Sequence, residues 1–557
     1  MQNYKKKILM CSEASYLSSG FSTYAKEILK RLHATGKYEI AEFASYAKIN
    51  DPRDSDIPWT FYANMPSDND PRASEYHQNP ENQFGRWRFE RVLLDFQPDI
   101  VFDVRDYWMN AYQQNSPLRP YYHWVVMPTI DSEPQQEEWV DTYLSADAIF
   151  TYSDFGRDVL KKQSNNKINY IDTTSPGVDL NVFRPYIGEK KAIRQAFGIP
   201  QDAYIFGSIM RNQKRKLIPD LFDTLRIMKT QNPELYNKSF LYLHTSFPDA
   251  GWDIPQLLKE YNIANKVLFT YICHNCKNVS SILFNHVRAT CGRCGQKALQ
   301  MPNVNNGVTS EQLTHIINTF DIYVQYAICE GFGMPQVEAA SCGIPVASVN
   351  YSAMEDIIRK LNGYSINVAK YFKELETRAI RVFPDNNHLL EILDKHNKLP
   401  SILQEQKRLE TRKLTELHYN WDHIAKKWEN YFDNAVLTNQ QGKWDIKLPK
   451  LDPIPQTAAQ SEDGTNYDFV YNLLRKTVPG HPILNSITPL NMIRDLDYSY
   501  TQNGMSINPY TRKNVVDVIN TIISNHNAVQ DAISNMDKLP SEDFIKYAHL
   551  KKRLGAN

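Results

Sequence analysis

The stretch EGFGMPQVEAASCGIPV, residues 330–346, decides how the rest of the chain is read. Two carboxylates, Glu330 and Glu338, stand eight positions apart around a loop that contains Gly331 and Gly333. The apolar run DIYVQYA (321–327) comes before it and PVASVN (345–350) after it, so the loop leaves a strand and opens a helix. Glycines let backbone approach a ligand closely, and the first turn of the helix offers unpaired N–H groups and a positive dipole end to phosphate. Glu338 then lies in the helix, displaced from the loop that holds Glu330, and the two acids can touch different parts of one long ligand. The competing reading, two surface glutamates around a structural turn, is the better one for an isolated pair, but the intact stretch favours a ligand site.

Working upstream, the strand YIFGS (204–208) runs into a segment with four cations, Arg211, Lys214, Arg215 and Lys216. Such a run is by default a solvated face. Placed after a strand at the start of a domain, two fixed cations can instead neutralise a departing diphosphate without a metal. Further out, KILMC, DIVFDV, HWVVM and AIFTYS read as strands of a first series, with helices GFSTYAKEILKRL and RWRFERVLLDF between them. FLYLHTS, KVLFTYI, DIYVQYA and PVASVN continue a second series. This alternation is the rhythm of βα units around parallel sheets, so two lobes of one kind are expected. Residues 45–85, polar and Pro-punctuated, read as long loops.

The wider organisation follows from length and composition. A chain of 557 residues exceeds one ordinary core, and 42% apolar with 23% charged residues suits a globular protein. Lys+Arg and Asp+Glu both number 63, which excludes a global attraction to nucleic acid or anionic membrane. The first apolar run, Ile8 to Cys11, is too short for a signal peptide or a membrane span, and no later run reaches the roughly 18 residues a span needs. A soluble, cytoplasmic protein with no membrane insertion is expected. Tyr outnumbers Gly, 33 to 21, a bias of AT-rich genomes such as those of many phages; a phage-encoded chain would work in the host cytoplasm. Expected domains are residues 1–185 and 186–415 as the two lobes, 416–448 as a crossing helix returning to the first, 449–460 as a proline-rich linker and 461–557 as a helical extension. The sequence assigns that extension no role, and it leaves the oligomeric state open.

The motifs resemble those of retaining glycosyltransferases of the GT-B superfamily, specifically the family-4 and glycogen-synthase-like enzymes with their Glu-x7-Glu signature. The resemblance covers roughly residues 5 to 435. It implies an α/β GT-B fold, two Rossmann-like lobes facing a cleft, with Glu330 beside the donor sugar and Glu338 on the ribose hydroxyls of the nucleotide. Gly331, Phe332, Gly333 and Met334 complete that donor loop. Family members carry a Gly-Arg-Leu loop with a Lys five residues after the Arg; Arg211 and Lys216 reproduce the spacing, with Met210 where the Gly is expected. Ser18-Ser19-Gly20-Phe21 resembles the family's Gly-rich loop facing donor phosphate, Pro176-Gly177-Val178-Asp179 with Phe183 the inter-lobe segment, Ser153 the serine before it, and Asn420-Trp421 the crossing segment. Where family members often place a histidine, this chain offers Asp103, Arg105 and Asp106; Asp103 or Asp106 would position the acceptor, with helix capping as the plain alternative and His123 and Asp131 as further candidates. The implied reaction is a same-face substitution on a nucleoside-diphosphate sugar, UDP favoured, with no catalytic metal. The sequence shows no Ser-His-Asp set or carboxylate dyad to argue for another chemistry.

One insertion stands apart. Cys273-His274-Asn275-Cys276, then fourteen residues, then Cys291-Gly292-Arg293-Cys294 is the spacing of a zinc ribbon over 270–298, four soft thiolates suiting a closed structural Zn²⁺, with His274 and His286 spare. Between Tyr261 and Ser310 stand five cations, Lys266, Lys277, Arg288, Arg293 and Lys297, and no Asp or Glu. That excess reads either as a patch for nucleic-acid phosphates or as nothing more than a stapled loop. It keeps three functions in view: sugar transfer to DNA, such as a hydroxymethylated base flipped towards the site; the same transfer to a polysaccharide, lipid-linked sugar or protein; and an inactive scaffold binding nucleic acid through the ribbon.

Overall fold

The computed structural model describes residues 4–67, 73–116, 118–285, 289–303 and 306–437, together with Trp444. The linker and helical extension expected beyond 448, and His286 and Arg288 of the insertion, lie outside the described residues. The chain divides into two compact units. One comprises Met1–Met127 and Ser145–Ala148, joined by the described residues from Asn434 onward; the other comprises Pro128–Leu144 and Ile149–Asp433.

In the first unit, β1 (Lys7–Glu13), β2 (Glu39–Lys48), β3 (Thr60–Met65), β4 (Ile100–Asp103) and β5 (His123–Val126) stand in the order β3-β2-β1-β4-β5. Every pairing is parallel. β1 and β4 are buried almost throughout, as expected of unbroken apolar runs covered on both faces. Helix Gly20–Ala34 covers the sheet with Tyr24, Ala25, Ile28, Leu29 and Leu32, positions that share one helical face. Ser19 caps it by accepting from the Ser22 N–H.

The expectation of long loops across 45–85 is corrected here. β2 continues to Lys48 and β3 pairs with it in parallel, with a register shift between Ala44 and Lys48. Thr60–Met65 hides from a sequence pattern because it is only half-buried. Its inward polar residue, Asn64, is satisfied by donating to the Asn82 and Gln83 carbonyls.

The second unit begins with the parallel pair β6 (Ala148–Thr151) and β7 (Ile171–Thr173). Its main sheet uses β8 (Tyr204–Ile209), β9 (Ser239–His244) and β10 (Val267–Cys273), then β11 (Val279–Leu283), β12 (Ala289–Thr290) and β13 (Lys297–Gln300), and finally β14 (Ile322–Gln325), β15 (Val346–Val349) and β16 (Tyr364–Ile366). The parallel core runs β10-β9-β8-β14-β15-β16. Numbered by chain order within this core, that is 3-2-1-4-5-6, the doubly wound order whose ligands sit where the winding reverses. Here the reversal lies between β8 and β14. A separate antiparallel hairpin, β17 (Val368–Lys373) and β18 (Ile380–Pro384), follows.

The inserted cysteines close the far edge of this sheet. Cys273 is the last residue of β10, and β11, β12 and β13 all add in antiparallel fashion around it. Near the end of the unit, Val178 bridges to Asn420, and a Cβ on Gly177 would lie 2.7 Å from the Trp421 ring. Helix Trp421–Asn434 then buries Trp428 against Phe150, ring centroids 4.3 Å apart. Among the described residues no helix is long and apolar enough to cross a membrane.

Candidate active site

The loop after β8 and the loop after β14 leave neighbouring parallel strands at the point of reversal, so the fold brings together the two segments singled out from sequence. Glu330 is 4% exposed, and its carboxylate meets three donors. Lys216 Nζ and Gln325 Nε2 both donate to Oε1, the latter at 2.8 Å, and Arg215 donates to Oε2 at 3.0 Å. Burial by itself would raise the carboxyl's pKa; the adjacent Lys216 and Arg215 outweigh it and hold Glu330 below the usual glutamate range. Its backbone is gripped as well. The Ser352 hydroxyl accepts from the Glu330 N–H at 3.0 Å and donates to the Glu330 carbonyl at 3.1 Å. Ser352 does this from φ 55° and ψ −147°, a conformation that costs a non-glycine residue about 1–3 kcal/mol and is kept where surroundings enforce it.

The loop that follows Glu330 is tight. A Cβ on Gly331 would overlap Thr129 Cγ2, and Gly333, at φ +91°, caps helix Met334–Ser341. Phe332 turns its ring into the interior, edge-on to Tyr419, so only its backbone is left for a ligand. Met334 opens the helix, partly exposed. Glu338, one turn into the helix, is half-buried with no side-chain hydrogen bond among the described residues, and burial pushes its carboxyl up to about 7. A carboxyl left without partners in such surroundings is ready to accept from hydroxyl groups.

The other expected residues are placed as follows. Arg211 does not reach Glu330. It is 58% exposed and forks onto Asp249, Nε to Oδ2 at 3.0 Å and Nη2 to Oδ1 at 3.2 Å. Hydrogen bonding to Arg211 holds the Asp249 carboxyl down at about 2. In the first unit Gly20 opens helix Gly20–Ala34 with open space around its Cα.

The expectation that Asp103 positions an acceptor is corrected. It is wholly buried, with Oδ1 taken by the Arg105 guanidinium and Oδ2 accepting from Trp124 Nε1 at 2.8 Å. It neutralises a buried arginine and has no face for a ligand. Asp131 likewise pairs with Arg381, at 2.9 Å, and accepts from the Cys329 thiol at 3.1 Å. His123 is held neutral by burial.

Sequence reading missed Arg215, Gln325 and Ser352. Arg215 was hidden among four cations, and Ser352 makes its contact from a segment after β15. Gln325 did leave a signal: an amide inside the otherwise apolar strand DIYVQYA, five residues before Glu330.

The four thiols of the insertion lie within 4.8 Å of one another, Cys273 to Cys294 at 3.6 Å and Cys276 to Cys291 at 3.7 Å. These are not disulfide separations. They approach the edge of about 3.8 Å that four bonds of about 2.3 Å give around tetrahedral zinc, so the cluster fits a metal ion. The expected basic patch is thinner than its composition. Lys266 is buried, donating to the Asn237 carbonyl at 2.7 Å, which leaves Lys277, Arg293 and Lys297 exposed among the described residues.

Residues 302–395, the segment with both glutamates, match the family Glycosyl transferases group 1. Among curated proteins the chain is similar to a D-inositol 3-phosphate glycosyltransferase of Stackebrandtia nassauensis, 25% identical over 207 residues, 36% of this chain and 38% of that protein. Sucrose synthase 2 of Zea mays is 27% identical over 209 residues, 35% of this chain and 23% of its own length. The chain therefore spans well under half of these curated relatives. Solved structures extend the likeness of fold. Sucrose-phosphate synthase of Thermosynechococcus elongatus superposes with a TM-score of 0.54 at 15% identity, covering 77% of this chain and 98% of its own. Anabaena HepE in complex with UDP and glucose gives 0.53 at 12%, covering 77% and 99%. The chain thus has the GT-B fold and, across residues 302–395, the sequence character of the glycosyl transferases group 1 family.

Proposed function

We propose that this protein is a retaining glycosyltransferase that moves a sugar from a nucleoside-diphosphate sugar, UDP favoured, to an acceptor hydroxyl. The observation that carries the reading is Glu330, buried at the strand reversal and held ionised between Lys216 and Arg215. In this reading Glu330 stands beside the donor sugar and Glu338 accepts from the ribose hydroxyls. The N–H groups of the Gly331–Met334 loop face the phosphates. The Lys216 ammonium, with Arg211 once it leaves Asp249, takes up the negative charge that grows as the sugar–phosphate bond breaks. The departing phosphate oxygen removes the acceptor's proton, so bond breaking and bond making occur on one face through an oxocarbenium-like transition state. No side-chain base is needed, and Asp103 is not assigned to that role. The four thiols hold a structural Zn²⁺ that takes no part in the chemistry.

The acceptor is either a hydroxymethylated base in DNA, which the exposed Lys277, Arg293 and Lys297 favour, or a saccharide, lipid-linked sugar or protein hydroxyl. An inactive scaffold that binds nucleic acid through the ribbon is the remaining alternative, and the assembled Glu330 cluster speaks against it. The test is incubation with a panel of sugar nucleotides and either plain DNA, hydroxymethylated DNA or oligosaccharides, reading nucleotide release, the mass of the product and its anomeric configuration. Release with retained configuration supports the reading. A chain inert to every donor, or an inverted product, overturns it; release indifferent to DNA removes only the DNA acceptor.

A further inference from the structure

The neutral member of the Glu330 cluster plays a part that its charged neighbours cannot. Tyr323 and Gln325 are two apart on β14 and so point to the same side of the strand. Both are essentially inaccessible, at 0% and 1% exposure. The Tyr323 hydroxyl lies 2.7 Å from Gln325 Oε1 and 3.2 Å from the Ile209 carbonyl, its proton directed to these two acceptors. Because the amide oxygen accepts from Tyr323, the amide nitrogen is forced the other way, onto Glu330 Oε1. An apolar residue would pack as well in a buried parallel strand.

Resting on the transferase reading above, we infer that Gln325, oriented by Tyr323, is a positioning residue that keeps Glu330 in place when the donor draws Lys216 and Arg215 towards its diphosphate. The two cations have donors to share between Glu330 and the ligand, and every N–H given to phosphate is withdrawn from the carboxylate. The Gln325 amide has no charge to be attracted and is anchored from behind. Among the described residues it is the one side-chain donor on the Glu330 carboxylate that carries no charge for the diphosphate to draw away. Glu330 therefore stays aimed at the sugar carbon through bond breakage.

Three variants test this at saturating donor. Gln325→Leu removes the donor and is expected to lower kcat about 10-fold or more with the donor KM changed less than about 3-fold, the mark of an interaction that matters in the transition state. Tyr323→Phe, which frees the amide to rotate, is expected to lower kcat in the same sense but less. Gln325→Glu keeps the shape and adds a titratable group. At acid pH its protonated carboxyl donates to Glu330 as the amide did. As pH rises it ionises beside Glu330 and the donor becomes a repelling anion. Its kcat should therefore approach the wild-type value at low pH and fall with rising pH, while Gln325→Leu stays uniformly low.

The groups facing this position are Lys216 and Arg215 from the loop after β8, Tyr323 on β14, Cys329 beside Glu330, and Glu338 on the following helix. Of these Glu338 titrates near neutrality, and saturating donor removes its effect on binding from the measurement. Wild-type kcat in Gln325→Leu, or a Gln325→Glu loss equal at low and high pH, overturns the inference while the transferase reading stands. A wild-type chain that releases no nucleotide from any donor overturns the transferase reading, and the inference with it.

Discussion

At the residue scale the decisive object is one carboxylate with two cations, and its partners act as a unit. Glu330→Gln keeps the shape and removes the charge, and Lys216→Ala removes the ammonium paired with it. Each is expected to cut sugar transfer by about 10²-fold or more, measured as kcat with the preferred donor, through loss of transition-state electrostatics. Lys216→Ala also leaves the buried Glu330 carboxylate with Arg215 as its one cation partner among the described residues, and should lower the thermal midpoint where Glu330→Gln lowers it less. Glu338 gives a pH prediction. Burial pushes its carboxyl up to about 7, and the proposed contact with the ribose hydroxyls is strongest with it ionised, so donor affinity should rise with pH through about 7 and level off above it. Calorimetric titration at pH 6 and pH 8 checks this, and the slope should vanish in Glu338→Gln. Glu330 and Glu338 were legible because glycines and a helix start frame them. Arg211 and Arg215 were not separable, since which of two nearby guanidiniums meets Glu330 depends on the turn at Lys214–Lys216 and on Asp249, a partner 38 residues away.

Elements carry the next set of consequences. Of the second unit's core strands, β8, β9, β10, β14 and β15 were legible as apolar runs, because residues buried on both faces leave no polar alternation to confuse the reading; the three-residue β16 was not. β3 was not, since a half-buried edge shows neither an apolar run nor strict alternation. The β17–β18 hairpin also went unread: β17 is mostly exposed and β18 only five residues long. Its Arg381 nevertheless contacts the Cys329 sulfur at 2.9 Å, one residue from Glu330. Gly331→Ala places a methyl group onto Thr129, so the donor loop must shift; the expected result is a loss in donor affinity and turnover with the fold retained by circular dichroism. In the insertion, elemental analysis of the purified chain should find one zinc per molecule. Cys291→Ser should abolish it and lower the thermal midpoint, because Cys291 belongs to the same apolar cluster as Phe269 and Leu299 of the sheet. Full metal content in Cys291→Ser, or none in the wild type, would remove the zinc assignment.

For the whole molecule, the two units repeat one winding, with β1 beside β4 in the first and β8 beside β14 in the second. Sequence rhythm announced two such units but not the order of their strands, which is set by pairings between residues far apart in the chain, such as Cys11 with Asp103 and Tyr323 with Gly207. A donor that binds only the native state stabilises it by about 2.7 kcal/mol at a hundred times its Kd. The thermal midpoint should accordingly climb with UDP-sugar concentration in the wild type and much less in Glu338→Gln.

The Arg211–Asp249 fork has an exposed guanidinium on a largely covered carboxylate, and a pair so open on one side is worth about 1 kcal/mol and is weakened by salt. It is a charge kept in storage. If the proposed reaction is right, an incoming diphosphate exchanges places with Asp249 at little expense, and until then the outer guanidinium stays occupied.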